Sequence, residues 1–314
     1  KNNAIIGEGY HQKYGEAHAE VNAINSVKNK LDLIGSTVYV NLEPCSHLGK
    51  TPPCADLLIK NQVKRVVICN VDPNPLVSGK GIIKLKNASI EVIEGVLAEQ
   101  GEMINRKFFH FQREHKPYIT LKYACSQDHF IAPLEGIPMV FSNQESQQMV
   151  HKMRAENQAI LIGVQTAIVD NPTLNVRHWK GNSPIRMVID PNNRLPKEIK
   201  LIQDNGPLIV FTKHYSETIG EKKWIAIGEK NSKEFLYAIV AYCYQHTLQS
   251  ILLEGGTKTA LHFYEAGLID EIWKIEKQIK IGKGVEAPTF EGIKFETKIM
   301  VGLDNVWSRA TLSK

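Results

Sequence analysis

Apolar positions recur in two periods along this chain, and the switching between them outlines a series of helices and strands. Val21, Ile24 and Val27 share one face of a helix, which predicts a helix over residues 17–28. Thr37-Val38-Tyr39-Val40-Asn41-Leu42 alternates like a strand and delivers Glu43-Pro44-Cys45 at its end. Pro52-Pro53-Cys54 opens the next helix, carried on by Ala55, Leu57, Leu58 and Ile59. Residues 63–69 read as a buried strand, 71–75 as a turn-rich loop, 78–81 as a Gly-rich connection and 90–93 as a strand, with a helix after Leu97. Ahead of all these, residues 4–11 read as a hairpin strand.

A short polar link over 113–117 ends in Pro117 and predicts a boundary, giving one domain over 1–115 and a second over 116–314. Beyond it the same alternation resumes. Strands are expected at 118–122, 159–162, 185–189, 208–211 and 250–253, and helices at 144–154, 235–247 and 258–266. Strand and helix alternating in this way predict α/β architecture, and 314 residues suit two domains of ordinary size.

Composition narrows the function. With 43% hydrophobic and 23% charged residues the chain is that of a globular protein with buried cores. The net charge of +5 is scattered, so nothing suggests nucleic-acid binding, although a phosphate-bearing small molecule would be welcome. Lysines 28, 30, 60, 64, 84 and 86 read as solvated faces. No apolar run approaches the ~18 residues of a membrane span, and no signal-peptide pattern is present. The five cysteines form no disulfide framework, which fits a reducing cytoplasm.

The sharpest chemistry lies in His18-Ala19-Glu20, Pro44-Cys45 and Cys54. One imidazole and two thiolates make a three-ligand zinc set whose fourth position stays open, as catalytic rather than structural sites do. Glu20 need not bind the metal and is placed to move protons. H-x-E followed by P-C and a second Cys is the layout of zinc deaminases that act on nucleobase-like rings. His47 is an alternative ligand, with pocket shaping or loop closure as its other roles. In the second half Leu252-Leu253-Glu254-Gly255-Gly256-Thr257 ends a strand at a glycine pair and starts a helix, a geometry that accommodates a phosphate. Neither this turn nor Ser78-Gly79-Lys80-Gly81 has the spacing of a dinucleotide fingerprint or a P-loop.

Pro44-Cys45-Ser46-His47-x-Gly49-x-Thr51-Pro52-Pro53-Cys54 places eight residues between the cysteines and closely resembles the deaminase of riboflavin biosynthesis. The resemblance extends through Asp72-Pro73-Asn74-Pro75, Gly79-x-Gly81 and Asn105-Arg106-x-Phe108-Phe109. Residues 117–314 resemble the reductase half of the bifunctional deaminase/reductase of that pathway. The matching motifs are Lys122-x-Ala124-x-Ser126-x-Asp128, His151-x-x-Arg154-Ala155, Gly163-x-x-Thr166-x-x-x-Asp170-Asn171-Pro172-x-Leu174-x-x-Arg177, Pro184-Ile185-Arg186, Glu254-Gly255-Gly256 and Ala266-Gly267-Leu268-Ile269-Asp270-Glu271.

The resemblance implies a zinc cytidine-deaminase-like domain followed by a dihydrofolate-reductase-like domain. It implies deamination of 2,5-diamino-6-(5-phosphoribosylamino)pyrimidin-4-one, then NADPH-dependent reduction of the ribosyl side chain to ribityl. His18, Cys45 and Cys54 would hold Zn2+, and Glu20 would be catalytic. NADPH would lie against Cys125, Val140, Thr166, Gly256, Thr257, Lys258, Thr259, Ala260, Leu261 and His262. The phosphoribosylaminopyrimidine substrate would meet Pro138, Arg154, Asp170, Leu174, Arg177 and Glu254. The residues leave two roles open at Arg154, a phosphate ligand or an ion-pair partner, and two at Asp170, a hydrogen-bond acceptor or a turn former. The partner is expected to be this small molecule, with no nucleic acid and no membrane, in a homo-oligomer.

The chain departs from the family at three places. His129 stands where the reductase turn usually has glycine, and Pro138 and Val140 stand where a serine and a tryptophan usually contact substrate and cofactor. The family also carries a helix, a strand and an N-P-x-V-G stretch ahead of residue 1, so an N-terminally truncated chain is expected. Retention of only one activity, and a zinc-stabilised binding module without catalysis, are the alternative readings.

Overall fold

The computed structural model describes residues 1–13, 15–48, 52–134, 139–228 and 230–312. The chain divides into two compact units, Lys1–Arg113 and Glu114–Lys314. No helix among the described residues is long and apolar enough to cross a membrane.

In the first unit α1 (Ala19–Ser26) precedes β1 (Thr37–Leu42), α2 (Cys54–Lys60), β2 (Arg65–Asn70), α3 (Lys80–Asn87), β3 (Glu91–Glu94) and α4 (Ala98–Glu114). The strands form a parallel sheet in the order β1-β2-β3. Parallel neighbours need crossover connections, and α2 and α3 supply them. Ile24, Ala55, Leu58, Val66, Ile68, Ile82 and Leu85 make the core between helices and sheet. The predicted helix over 17–28 is shorter at both ends. Asn22 Nδ2 donates to the carbonyls of Tyr10 and Ala17, which ties the incoming chain across the first turn. Lys30 Nζ bonds the Ile24 and Asn25 carbonyls, which closes the last turn.

Residues 4–11 form no strand. They run extended along α1, where Glu8 N–H donates to Ser26 Oγ. A Cβ on Gly9 would lie 2.3 Å from the Ala23 nitrogen, so only glycine permits the approach. The Gly-rich stretch 78–81, read as a connection, instead starts α3, with Gly79 as N-cap at φ +74°. The polar link over 113–117 is also shorter than predicted, because α4 continues to Glu114.

The second unit contains β4 (Tyr118–Ser126), β5 (Phe130–Pro133), α5 (Gln144–Ala155), β6 (Ala159–Gly163), α6 (Val164–Asp170), β7 (Ile185–Ile189), α7 (Lys200–Gln203), β8 (Leu208–Thr212), β9 (Glu217–Ile219), β10 (Lys222–Ala226), α8 (Ser232–Gln245), β11 (Ser250–Glu254), α9 (Thr257–Glu265), β12 (Glu271–Lys277), β13 (Gly284–Glu286), β14 (Thr297–Val301) and β15 (Asn305–Thr311). Ten strands make one sheet in the order β14-β15-β12-β4-β11-β6-β7-β8-β10-β9. β12 through β10 in that order run parallel, and β9, β15 and β14 are antiparallel additions.

Parallel strands covered on both faces are apolar at nearly every position, and β8 and β11 are buried throughout. Leu161, Ile251 and Leu253 face α8 and α9 through Phe235, Ile239 and Phe263. Ile160, Ile162 and Leu252 pack on the other side with Val164, Ala167, Leu174 and Leu201. β6 leads outward to β7, β8 and β10, β4 leads the other way to β12, and β11 lies between them. Ligand crevices form outside the carboxyl ends of parallel strands where the strand order reverses.

His129 follows β4 with φ +65°. A side chain in that conformation costs about 1–2 kcal/mol, which explains the glycine usual at this position. His129→Gly should raise the melting temperature of the second unit by about 2–4 °C, the shift expected for ~1 kcal/mol in a unit of this size. Calorimetry checks this. An unchanged or lower midpoint would mean that the electrostatic interaction of His129 with Glu276 outweighs the backbone strain.

Candidate functional site

Three element boundaries converge in the first unit. His18 is the N-cap of α1 and makes no side-chain cap bond, which leaves its imidazole available. Cys45 follows the end of β1 by three residues, and Cys54 is the first residue of α2. Cys45 Sγ lies 3.6 Å and Cys54 Sγ 3.4 Å from His18 Nδ1. Around a tetrahedral zinc with Zn–S ~2.3 Å and Zn–N ~2.0 Å, adjacent ligand atoms stand about 3.5–3.8 Å apart. The donor set therefore fits zinc, with Nδ1 as the imidazole ligand atom. Among the described residues this is the one group of three that could hold a metal, and His47 is not in it. Residues 49–51 of the inter-cysteine loop lie outside the described residues.

The Cys54 N–H donates to Cys45 Sγ at 3.3 Å, and the Ala55 N–H donates to the Cys45 carbonyl at 3.1 Å. A hydrogen bond from the Cys54 thiol, the backbone N–H and His18 bring the Cys45 thiol down to about 5, against burial. That same bond, burial and Glu20 push the Cys54 thiol up. Glu20 sits in the first turn of α1 with a side-chain hydrogen bond to Cys54. Burial raises its carboxyl above the ordinary range, against its backbone hydrogen bond.

Two supporting residues had no role in the sequence reading. Glu43, 3% exposed, accepts backbone N–H bonds from Asp72, Gly79, Gly81 and Ile82. It thereby ties the end of β1 to the start of α3, and a Cβ on Gly81 would meet the Pro44 carbonyl at 2.1 Å. His11 stacks on His18, with ring centroids 5.4 Å apart at 27°. The signal for the first was a carboxylate directly before Pro44-Cys45 together with Gly79-x-Gly81; neither is informative without the other.

In the second unit Glu254 ends β11 and is buried to 8% exposure. Arg154 of α5 grips it through two parallel bonds of 3.0 Å, Nε to Oε1 and Nη2 to Oε2, and Lys122 Nζ lies 3.6 Å away. Burial opposes ionisation of Glu254, but Arg154 and Lys122 outweigh it and hold the carboxyl at about 2. Arg154 is thus the partner of a buried carboxylate, and its Nη1 donates to the Asn175 carbonyl. Asp170 is the last residue of α6, before Asn171 at φ +41°. Burial raises its carboxyl, and Lys122 opposes the rise.

Leu174 is buried with φ +54°, a conformation costing a leucine about 1–2 kcal/mol. Arg177 is exposed, with Nη1 bonded to Asn175 Oδ1 at 2.6 Å and to Thr173 Oγ1. Of the two arginines expected at the substrate, Arg177 is the one not engaged by a buried acid. Pro138 lies outside the described residues.

The residues expected around NADPH divide. Thr166 Oγ1 accepts the Gly256 N–H at 3.1 Å, and Gly163 lies so close to Thr259 that a Cβ would meet its Oγ1 at 2.5 Å. Gly256 caps α9, Thr257 opens it, and Lys258 is exposed beside them. Ala260 and Cys125 belong to the hydrophobic core, with Leu261 packed against it, so Ala260 and Cys125 could meet a cofactor only through their backbones. His262 lies further along α9, in its second turn. Burial pushes the Cys125 thiol up to about 11. The Val140 side chain is 64% exposed.

The sequence profile of the cytidine and deoxycytidylate deaminase zinc-binding region matches residues 1–70, and that of the RibD C-terminal domain matches residues 117–310. The chain is similar to the riboflavin biosynthesis protein RibD of Aquifex aeolicus, 39% identical over 275 residues that make up 87% of this chain and 77% of the other. It is 35% identical to the protein of that name from Escherichia coli K12 over 291 residues, 87% of this chain and 78% of the other. Among solved structures it resembles a diaminohydroxyphosphoribosylaminopyrimidine deaminase/5-amino-6-(5-phosphoribosylamino)uracil reductase from Thermotoga maritima. The TM-score is 0.88 at 33% identity, covering 99% of this chain and 89% of that one.

The metal centre makes a direct prediction. The protein should bind one zinc per chain by elemental analysis, and Cys54→Ser should lose it. Full occupancy in the variant would transfer the ligand role to another group, with His47 the first to examine.

Proposed function

We infer the function from the family: the chain belongs to the RibD family of riboflavin biosynthesis proteins. It is a bifunctional enzyme, with a zinc-dependent deaminase region in residues 1–115 and an NADPH-dependent reductase region in residues 116–314. Its first substrate is 2,5-diamino-6-(5-phosphoribosylamino)pyrimidin-4-one. The second step reduces the ribosyl side chain of the deaminated product to ribityl. The observation that carries this reading is the ligand triangle of His18, Cys45 and Cys54 with Glu20 hydrogen-bonded to one of its corners.

His18, Cys45 and Cys54 would hold the zinc, which when bound would supply the acidification of water, to a pKa of about 7, that the reaction needs at neutral pH. Glu20 Oε exchanges protons between water in the site and a ring nitrogen of the substrate, then protonates the departing amine. Its place in the first turn of α1, hydrogen-bonded to Cys54, puts the carboxylate beside the ligand set. Glu43 keeps the approach to Cys45 rigid without entering the chemistry.

NADPH supplies the hydride for the second step, and the opened form of the ribosyl group offers an electrophilic C1. The chain's own contribution is orientation. Arg177 holds the phosphate, since a guanidinium fork matches phosphate geometry, and Asp170 accepts from sugar hydroxyls or pyrimidine N–H groups. Arg154 and Lys122 neutralise Glu254. The start of α9, with Gly256 bonded to Thr166, receives the cofactor. A cytoplasmic location and a small-molecule rather than nucleic-acid partner belong to the same reading, supported by five unpaired cysteines and a scattered net charge of +5.

Glu20→Gln should keep zinc and lose ammonia release by about 10² to 10⁴-fold, the usual contribution of a general acid–base group. Wild-type ammonia release in the variant would remove Glu20 from the mechanism.

For the reductase, NADPH oxidation with the deaminated substrate is expected to persist with weakened cofactor binding, because Val140 offers no stacking surface. Val140→Trp should tighten NADPH about five- to thirty-fold, the equivalent of ~1–2 kcal/mol for one stacked aromatic. Absence of NADPH oxidation at saturating cofactor would leave the chain with the deaminase activity alone.

A further inference from the structure

The segment that leaves α6 and carries Arg177 is a strained strap, and two of its fixings, Arg154 and His151, come from one face of α5. Asn171 and Leu174 both have positive φ. Asparagine tolerates that region and leucine does not, so the strap keeps its path only if its surroundings hold it there. Leu174 is anchored in the core beside α6. Beyond it the anchors are polar. Arg154 Nη1 donates to the Asn175 carbonyl at 3.3 Å, and Ser183 Oγ accepts the Val176 N–H at 3.0 Å. His151, three residues before Arg154 on the same helix face, accepts the Arg177 backbone N–H on Nδ1 at 3.0 Å.

His151 is 4% exposed, and its ring meets that of His178 edge-on, with centroids 4.8 Å apart at 89°. An acceptor at Nδ1 requires a neutral imidazole with its proton on Nε2. Burial, then the charges of Arg154, His178 and Arg177, bring His151 down to about 4 against the opposing pull of Glu254, so the ring is neutral at physiological pH. A histidine that merely filled space would need no such bond. This one fixes the backbone atom from which the exposed guanidinium of Arg177 departs.

We propose that His151 is the positioning residue for Arg177: its imidazole clamps the strained strap to α5 and so sets where the guanidinium meets the phosphate of the reductase substrate. The proposal rests on the phosphoribosyl reading given above. His151 does not touch substrate; it acts through Arg177.

Ribose 5-phosphate and ribose serve as probes, with calorimetric titration of the full chain. His151→Leu removes the acceptor and keeps an apolar side chain. His151→Asn returns an acceptor oxygen close to the place of Nδ1. His151→Leu is expected to weaken ribose 5-phosphate about tenfold while leaving ribose unchanged, and His151→Asn to recover most of the loss. The Arg177→Ala and His151→Leu/Arg177→Ala proteins should bind ribose 5-phosphate equally, because the clamp has nothing left to aim.

Equal affinity of wild type and His151→Leu for ribose 5-phosphate overturns the proposal. Losses that add in the double variant, or that fall equally on ribose, overturn it in favour of a packing role. Wild type that does not bind ribose 5-phosphate overturns it together with the phosphate reading. Wild type that binds the probe but oxidises no NADPH with the deaminated substrate overturns the reductase reading alone, and the comparison of variants still decides the role of His151.

Discussion

A carboxylate buried at the end of an otherwise almost wholly apolar strand is the constraint around which the second unit's cleft is organised. β11 is buried along its whole length, and Glu254 is its last residue. An ionised carboxylate in such a place is tolerable only with a partner in good geometry, and removing that partner from a buried pair costs about 3–5 kcal/mol. Arg154 meets the requirement with two parallel bonds, which fixes the rotation of α5 about its axis. Once that face is set, the same guanidinium reaches the Asn175 carbonyl and His151 reaches the Arg177 N–H. The strap, its strained Leu174 and the exposed Arg177 guanidinium are therefore arranged downstream of one buried charge.

The first unit uses the same device with a different compensation. Glu43 lies just past the end of β1 and is also buried, and its compensation comes from the backbone. Four backbone N–H groups from residues 72 to 82 satisfy it. Two of those donors, Gly81 and Ile82, belong to the open first turn of α3, where a helix presents unpaired N–H groups and favours negative charge. The carboxylate thus locks a crossover helix onto the strand end that carries Cys45. In both units a buried acid fixes the elements beside it, β1 and α3 around Glu43 and β11 and α5 around Glu254.

These two arrangements also explain what sequence reading reached. The buried parallel strands declare themselves as apolar runs, and His18, Cys45 and Cys54 stand out because few chemistries call for one imidazole and two thiols so spaced. The pairing of Arg154 with Glu254 joins residues 100 positions apart, and neither residue type announces a partner. Gly79-Lys80-Gly81 looked like a loop because glycine opposes helix formation on propensity alone. Here the glycines permit the α3 start to approach Pro44 and Glu43. The segment before α1 is extended but unpaired with any strand among the described residues, and its Gly7 and Gly9 serve close contact with the helix. β12 and β15 bury one face while carrying charges such as Lys274, Glu276 and Arg309, which breaks the uniform apolar signal of the central strands.

Two of the positions at which this chain departs from its family, His129 and Val140, are exposed. His129 is exposed in the turn after β4, and Val140 is exposed with its carbonyl accepting from Lys277. A change at the exposed turn bears on local backbone strain such as His129 carries, whereas a change at Arg154 or His151 would unpair a buried carboxylate or release a strained segment. The physical penalties are therefore unequal along the chain. Substitution at the exposed turn disturbs little of the packing, whereas substitution at Arg154 or His151 disturbs the support of the whole strap.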